Sequence, residues 1–331
     1  MQRLIDNTKN LFDDNGQVNF GGWSKAPLFE YNKLKYPKTD KIWEHDCYYI
    51  SNDHIGLYIS VETAGMGLAI KVVLANLRRN RIYGDSVTKK WIISPQNLPQ
   101  AGKLGEFSYI DNRIALTLTN TVEGRYIKCD FIDFADFKNL YIKLLIKKIP
   151  GESLNMVVPF QDNKYNFYFK RFVPKFVAQG VVMYGGTKYS FDENKSMVYF
   201  DWSRYNLPTK TEYQNLSANF EIDGHRIALN LGSPVGDNRK GNENCFFVDG
   251  NLYKLKKFRV TSNDFLSPHY FSDNNGTELA FTPVVYNDRP MIYKCKKCAI
   301  VFGRLNGVIC HNETDELRIK DKFAHIIFNI I

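Results

Sequence analysis

Long apolar runs are missing from this chain of 331 residues. The longest candidate, Met66 to Leu74, is too short to cross a bilayer and carries Lys71. The first residues, MQRLIDNTKN, lack the apolar stretch of a secretory signal. The chain therefore reads as cytoplasmic and without a membrane span. Cysteine is also sparse: six residues, which in that compartment stay reduced. Cys295 and Cys298 form a lone C-x-x-C, and Cys310-His311 follows after a strand-like run. No second C-x-x-C or H-x-x-H completes a zinc spacing. Alternation of Tyr293, Cys295 and the intervening lysines along a strand accounts for the residues better, and no metal or cofactor is expected.

Familiar catalytic signatures are missing too. Neither G-x-x-x-x-G-K-[ST] nor a G-x-G-x-x-G entering a helix occurs, which removes the common nucleotide-binding loops. Gly65-x-Gly67 sits in a strand-like run and reads as a bulge or a close backbone approach. A Ser-centred nucleophile elbow and an H-E-x-x-H helix are absent. The histidines are scattered; His45, His54 and His225 lie near turns or strand ends and read as surface or capping residues. Helical signals are few. Phe131 to Lys148 is compatible with a helix, but the β-rich YIKCDFI run and Leu-Tyr-Ile leave that segment open.

What the chain does contain favours sheet. Aromatics make up 15% of it, with 24 Phe and 20 Tyr, and such side chains suit a pleated, well-packed surface. Three segments alternate about turn residues: FSYI-DN-RIALTLT from Phe107, ANFEI-DG-HRIALNL from Ala218, and NCFFV-DG-NLYKL from Asn244. An Asp-Gly pair between β-rich runs supplies the two positive φ angles of a type I′ hairpin turn. A turn at Asp223-Gly224 pairs Ile222 with His225, Glu221 with Arg226 and Phe220 with Ile227. One face is then apolar and the other carries Glu221–Arg226 and Asn230. The Asp249-Gly250 hairpin is apolar on both faces, as expected of strands buried on both sides, and lets Glu243 or Asn244 reach a lumen. Many short strands between Gly, Pro, Asn and Asp indicate a barrel or sandwich. Polar residues near Pro150 and from Gln161 to Lys164 place a division of the chain at 1–163 and 164–331.

A net charge of +9 raises the question of nucleic acid. The lysines are dispersed, however. The densest basic cluster, Arg78, Arg79, Arg81, Lys89 and Lys90, surrounds an expected loop at Tyr83-Gly84-Asp85 and reads as a solvated face. Nucleic acid is not an expected partner.

The richest stretch runs from Phe200 to Leu255. It sets Asp201, Arg204, Asn230, Asp237, Glu243 and Asn244 among Trp202, Phe220, Phe246, Phe247 and Tyr253. Charges in such surroundings need one another or a ligand. Asp201 and Arg204 lie three apart and converge only if the strand ends or bulges near Ser203; otherwise they face opposite ways.

These residues resemble the domain-of-unknown-function family 2804. The likeness covers Gly22-Trp23-Ser24 with Pro27, Tyr31-Asn32, Trp43-Glu44 and Tyr48-Tyr49 in the first half. It then covers Asp201-Trp202-x-Arg204, Leu229-Asn230-Leu231-Gly232, Glu243-Asn244, Phe247, Asp249-Gly250, Lys254-Leu255, Phe281-Thr282-Pro283 and Phe302-Gly303 with Gly307. The chain departs from the family's usual glycine at Tyr205, from its threonine at Asn242, and from its acidic run at Lys322 to His325. The family is similar, more distantly, to lipocalin-like AttH proteins and carotenoid 1,2-hydratases. That resemblance implies an all-β protein of two lipocalin-like β-barrel domains packed together, and carries no established activity with it.

The expected ligand is a hydrophobic small molecule. On one reading the protein is a hydratase- or isomerase-type enzyme, with Asp201 or Glu243 as a proton-bearing carboxyl in a greasy cavity. Trp202, Arg204, Asn230 and Asn244 then form the binding wall. On the other it is a non-catalytic carrier or sensor whose Arg204 anchors a polar head group.

Overall fold

The computed structural model describes residues 2–92, 98–99, 104–208, 211–233, 235–237, 239–295, 298–310 and 316–330. Among these the secondary structure is β throughout, apart from two short 3₁₀ turns at Lys33–Lys35 and Thr39–Lys41. Among the described residues no helix is long and apolar enough to cross a membrane.

Two large sheets curl into half-barrels. In the first, hydrogen-bonded neighbours run Arg81–Lys89, Gly67–Asn76, Ile55–Ala64, Trp43–Ser51, Met197–Asn206, Phe167–Tyr184, Lys138–Lys148, Arg125–Ala135, Ile114–Asn120 and Gly105–Ile110. In the second they run Asn251–Lys254, Cys245–Val248, His225–Gly232, Glu212–Ile222, Glu316–Ile330, Cys298–Cys310, Glu278–Pro283, His269–Ser272 and Arg259–Thr261. Sheet membership changes between Asn206 and Glu212. The Phe167–Tyr184 and Met197–Asn206 strands pair with each other and with strands of the first half.

Period-two alternation divides the buried side chains into layers. Tyr48, Ile50, Phe167, Phe169, Phe200 and Trp202 fill the interior of the first half-barrel. Leu216, Ala218, Phe220, Ile227 and Leu229 fill the second. Between the sheets lies a third layer, in which Cys47, Tyr49, Phe172 and Tyr199 meet Phe247, Ile300, Phe302 and Ile327. The strands at the centre of the first sheet are therefore covered on both faces, which is why their sequences run apolar or aromatic without a polar side.

The hairpin registers follow the sequence. Ile222 pairs with His225, Glu221 with Arg226 and Phe220 with Ile227 across Asp223 (φ 50°) and Gly224 (φ 82°). Val248 pairs with Asn251 and Phe246 with Tyr253 across Asp249 and Gly250. Ile110 pairs with Ala115, and Asp111 Oδ1 accepts from the Arg113 and Ile114 amides to close that turn. Two expectations are corrected and one open segment is decided. Residues 131–148 form no helix: Arg125–Ala135 and Lys138–Lys148 make a hairpin turning at Asp136 and Phe137, both with positive φ. Gly65 is no bulge but, at φ 55°, begins the two-residue turn joining Ala64 to Gly67. Tyr83-Gly84-Asp85 lies within a strand; Arg78, Arg79 and Arg81 gather at the preceding turn, while Lys89 and Lys90 lie at the strand's far end.

Candidate functional site

The charged residues of the Phe200–Leu255 stretch meet a partner from outside it. In the Phe167–Tyr184 strand, Phe167 and Phe169 point into the first half-barrel, while Tyr168, Lys170 and Phe172 point at the second sheet. Lys170 lies opposite Ser203, and Phe172 opposite Asp201. The second sheet answers with Tyr213, Asn215 and Ser217 on one strand, Asn230 on the next, and Glu243 just before Cys245–Val248. Lys170 is fully buried in this seam.

Lys170 Nζ stands 2.9 Å from Asp201 Oδ2 and 2.5 Å from Glu243 Oε2. It also donates to Asn230 Oδ1 at 3.2 Å and to the Tyr213 hydroxyl at 3.3 Å. Glu243 Oε2 further accepts from the Tyr213 hydroxyl (2.8 Å) and Asn215 Nδ2 (3.1 Å). Asn230 Nδ2 donates to the Glu243 backbone carbonyl at 2.8 Å. Burial opposes the ammonium, but the charges of Asp201 and Glu243 outweigh it and raise the Lys170 pKa well above its ordinary value. Backbone space fixes Glu243 as well. A Cβ at Gly232 would stand 1.9 Å from Glu243 Oε1, so the glycine leaves the space in which the carboxylate crosses its strand.

Beside the triad lies a cavity of about 40 Å³, walled by Asp201, Ser203, Tyr168, Tyr205, Tyr213 and His45. Ser203 Oγ donates to Asp201 Oδ1 at 3.0 Å, so both carboxylate oxygens have fixed donors. Tyr205 stacks on Trp43 with ring centroids 6.4 Å apart, which fixes its ring at the cavity edge. His45 is 3.8 Å from Glu62, which is itself held by Lys71 at 2.7 Å. Burial lowers the His45 pKa although Glu62 and Asp201 pull the other way. Burial and then Glu243 raise the Tyr213 hydroxyl well above its ordinary value. The wall thus sets the Asp201 and Glu62 carboxylates among tyrosine hydroxyls and apolar side chains.

Of the residues singled out in the sequence, Asp201, Glu243 and Asn230 converge here. They do so between the sheets, not in a barrel lumen, and they meet an ammonium where an apolar wall was expected. Trp202 and Arg204 lie on the opposite face of their strand. Arg204 Nη1 donates to Asp46 Oδ1 at 2.8 Å, its Nε is 3.4 Å from Glu44, and its guanidinium lies 4.2 Å from the Trp202 ring. The strand stays regular through Ser203, so three residues' separation keeps Asp201 and Arg204 apart. Asn244 fastens backbone: its Oδ1 accepts from Gly232 N and its Nδ2 donates to the Lys256 carbonyl. Arg226 keeps its register opposite Glu221 but donates to the Ser196 and Glu193 carbonyls. Among the described residues no three His, Cys, Asp or Glu gather as metal ligands, and His311 lies outside them. Lys170 was the residue missed. Its signal was a single lysine alternating with Tyr168 and Phe172 in a run aromatic on both faces, where a charge must find a counter-charge.

A family model described as Domain of unknown function (DUF2804) matches residues 2–326, so the chain belongs to that family. No curated protein matches the chain. Two solved structures share its fold. A candidate AttH protein of Nitrosomonas europaea has TM-score 0.52 and 9% identity, covering 87% of this chain and 92% of that one. Kievitone hydratase of Nectria haematococca has TM-score 0.53 and 10% identity, covering 98% and 97%. At these identities the likeness establishes the lipocalin-like fold.

Proposed function

We propose that this DUF2804 member is a hydratase-type enzyme acting on a hydrophobic small molecule at the seam between its half-barrels, with Asp201 as the catalytic base. One observation carries the reading: the Asp201 carboxylate, held by Lys170 and Ser203, walls a cavity of about 40 Å³. That is room for one or two waters and no more. A base beside a water-sized space suits activation of water, which then adds to a polarised carbon–carbon double bond. The water loses a proton to Asp201 as its oxygen bonds to one carbon, and the Asp201 carboxyl then returns that proton to the neighbouring carbon, which completes the addition. Lys170 and Glu243 position Asp201 without touching substrate. The relative named a hydratase supports the reaction class by fold only.

A second reading, a carrier or sensor that performs no chemistry, is favoured by a larger cavity of about 380 Å³ in the first half-barrel, because a drug-sized ligand needs a pocket of roughly 300 Å³ or more. The two separate in one experiment. Any small molecule that co-purifies is identified by native mass spectrometry, returned to wild type and to Asp201→Asn in ¹⁸O-labelled water, and weighed. Gain of one labelled water with wild type, lost with Asp201→Asn, is the expected result. Recovery of the molecule unchanged would establish the carrier.

A further inference from the structure

The first half-barrel contains a second cavity, of about 380 Å³, on the face of the sheet turned away from Lys170. Arg125, Arg171, Val173, Phe176 and Phe200 contribute to its wall, and Lys148 and Lys175 stand at its rim. Arg125 is 9% exposed. Its guanidinium lies 3.9 Å from the centre of the Phe200 ring and 5.1 Å from that of Phe176, and its Nη1 donates to the Tyr48 hydroxyl at 3.1 Å. Among the described residues no carboxylate comes within 4.0 Å of it. The lumen's own acids, Glu44 and Asp46, are taken by Arg204, and Glu123 at the mouth accepts from the Tyr126 hydroxyl. The guanidinium is thus held by ring faces and one neutral hydroxyl; Asp46 attracts it from a distance but is itself ion-paired with Arg204, so no carboxylate bonds to it directly. At the rim, burial and then the nearby Lys148 lower the Lys175 pKa, a crowding that an anion would relieve.

We propose that this cavity binds an amphipathic carboxylate, its head group on Arg125 and its apolar body against Phe176, Phe200 and Val173. The guanidinium fork matches a carboxylate in two hydrogen bonds, and the aromatic wall leaves room for a single short acyl chain or ring. The volume is at the lower end for small-molecule sites, which favours medium-chain or aromatic acids over long lipids. The inference is independent of the seam chemistry, because the two cavities open on opposite faces of the same strands.

Isothermal titration calorimetry with octanoate, octanol and inorganic phosphate tests it. Octanoate is expected to bind about tenfold or more tighter than octanol, in keeping with one charge-assisted contact, and phosphate to bind much more weakly than octanoate. Arg125→Met should weaken octanoate about tenfold and leave octanol unchanged. Lys148→Glu, at an exposed position that the fold does not depend on, should weaken octanoate several-fold at low salt and less at high salt. Equal binding of octanoate and octanol, phosphate binding as tight as octanoate, or octanoate affinity unmoved in both variants would overturn the assignment.

Discussion

Replacing Lys170 by methionine keeps an unbranched side chain in the seam and removes only the ammonium. Asp201 and Glu243 then lose donors at 2.9 and 2.5 Å, and Asn230 and Tyr213 lose a third and fourth contact. Hydrogen bonds to charged groups contribute about 1.5–3 kcal/mol each, so the two carboxylate contacts alone amount to about 3–6 kcal/mol. Breaking a buried pair from one side costs about 3–5 kcal/mol by the same reasoning, and the variant should lose that much in urea unfolding near pH 7. Adding Asp201→Asn and Glu243→Gln removes the orphaned charges, so the triple variant should be more stable than Lys170→Met alone. A loss below about 1 kcal/mol, the size of an exposed pair, or a triple variant no better than the single one, would refute the reasoning.

Gly232→Ala should push Glu243 off Lys170, since the new Cβ would stand 1.9 Å from Oε1; we expect about 1–3 kcal/mol of destabilisation, relieved when Glu243→Ala is added, and a double variant no more stable than the single would contradict the geometry. Burial pushes His325 from 6.5 down to about 3. The unfolded chain thus takes up a proton that the folded one refuses, so stability present above pH 6.5 is lost as pH falls towards 3. At about pH 5 this loss is about 2 kcal/mol, added to any from His45, and His325→Phe should flatten the urea midpoint against pH while lowering stability near neutrality because Tyr199 loses its 2.7 Å partner. Thiol titration of the native protein should find Cys295 and Cys310 accessible, while Cys47, Cys129, Cys245 and Cys298 react only on unfolding; rapid reaction at Cys129 or Cys245, both pushed up to about 12 by burial, would count against the packing.

The fold was legible wherever one strand's pattern decided it. Asp223-Gly224 and Asp249-Gly250 set their registers locally, because turn chemistry and alternation are properties of adjacent residues. The 131–148 segment was ambiguous for the opposite reason. Its apolar residues recur often enough for either period, and the positive φ at Asp136 and Phe137 has no glycine to announce it. Of the site, Asp201, Glu243 and Asn230 were visible as costly polar residues among aromatics. Their convergence was not, because it depends on which two sheets face each other. Lys170 lies 31 residues before Asp201 and 73 before Glu243, and only the pairing across sheets reveals it. Arg204 is close to Asp201 in sequence, yet the regular strand turns it to the other face.

The seam triad draws Lys170 and Asp201 from one half-barrel and Glu243, Asn230 and Tyr213 from the other. Each half made alone would therefore expose an incomplete ionic set on its docking face. A collapse in the wrong orientation would bury Lys170 or Glu243 without its opposite number and be disfavoured by several kcal/mol on the scale of a broken buried pair. A docking key of this kind would disfavour misassembled halves during folding. Exchanging one half between related chains should succeed only when all of the key's residues are carried across together.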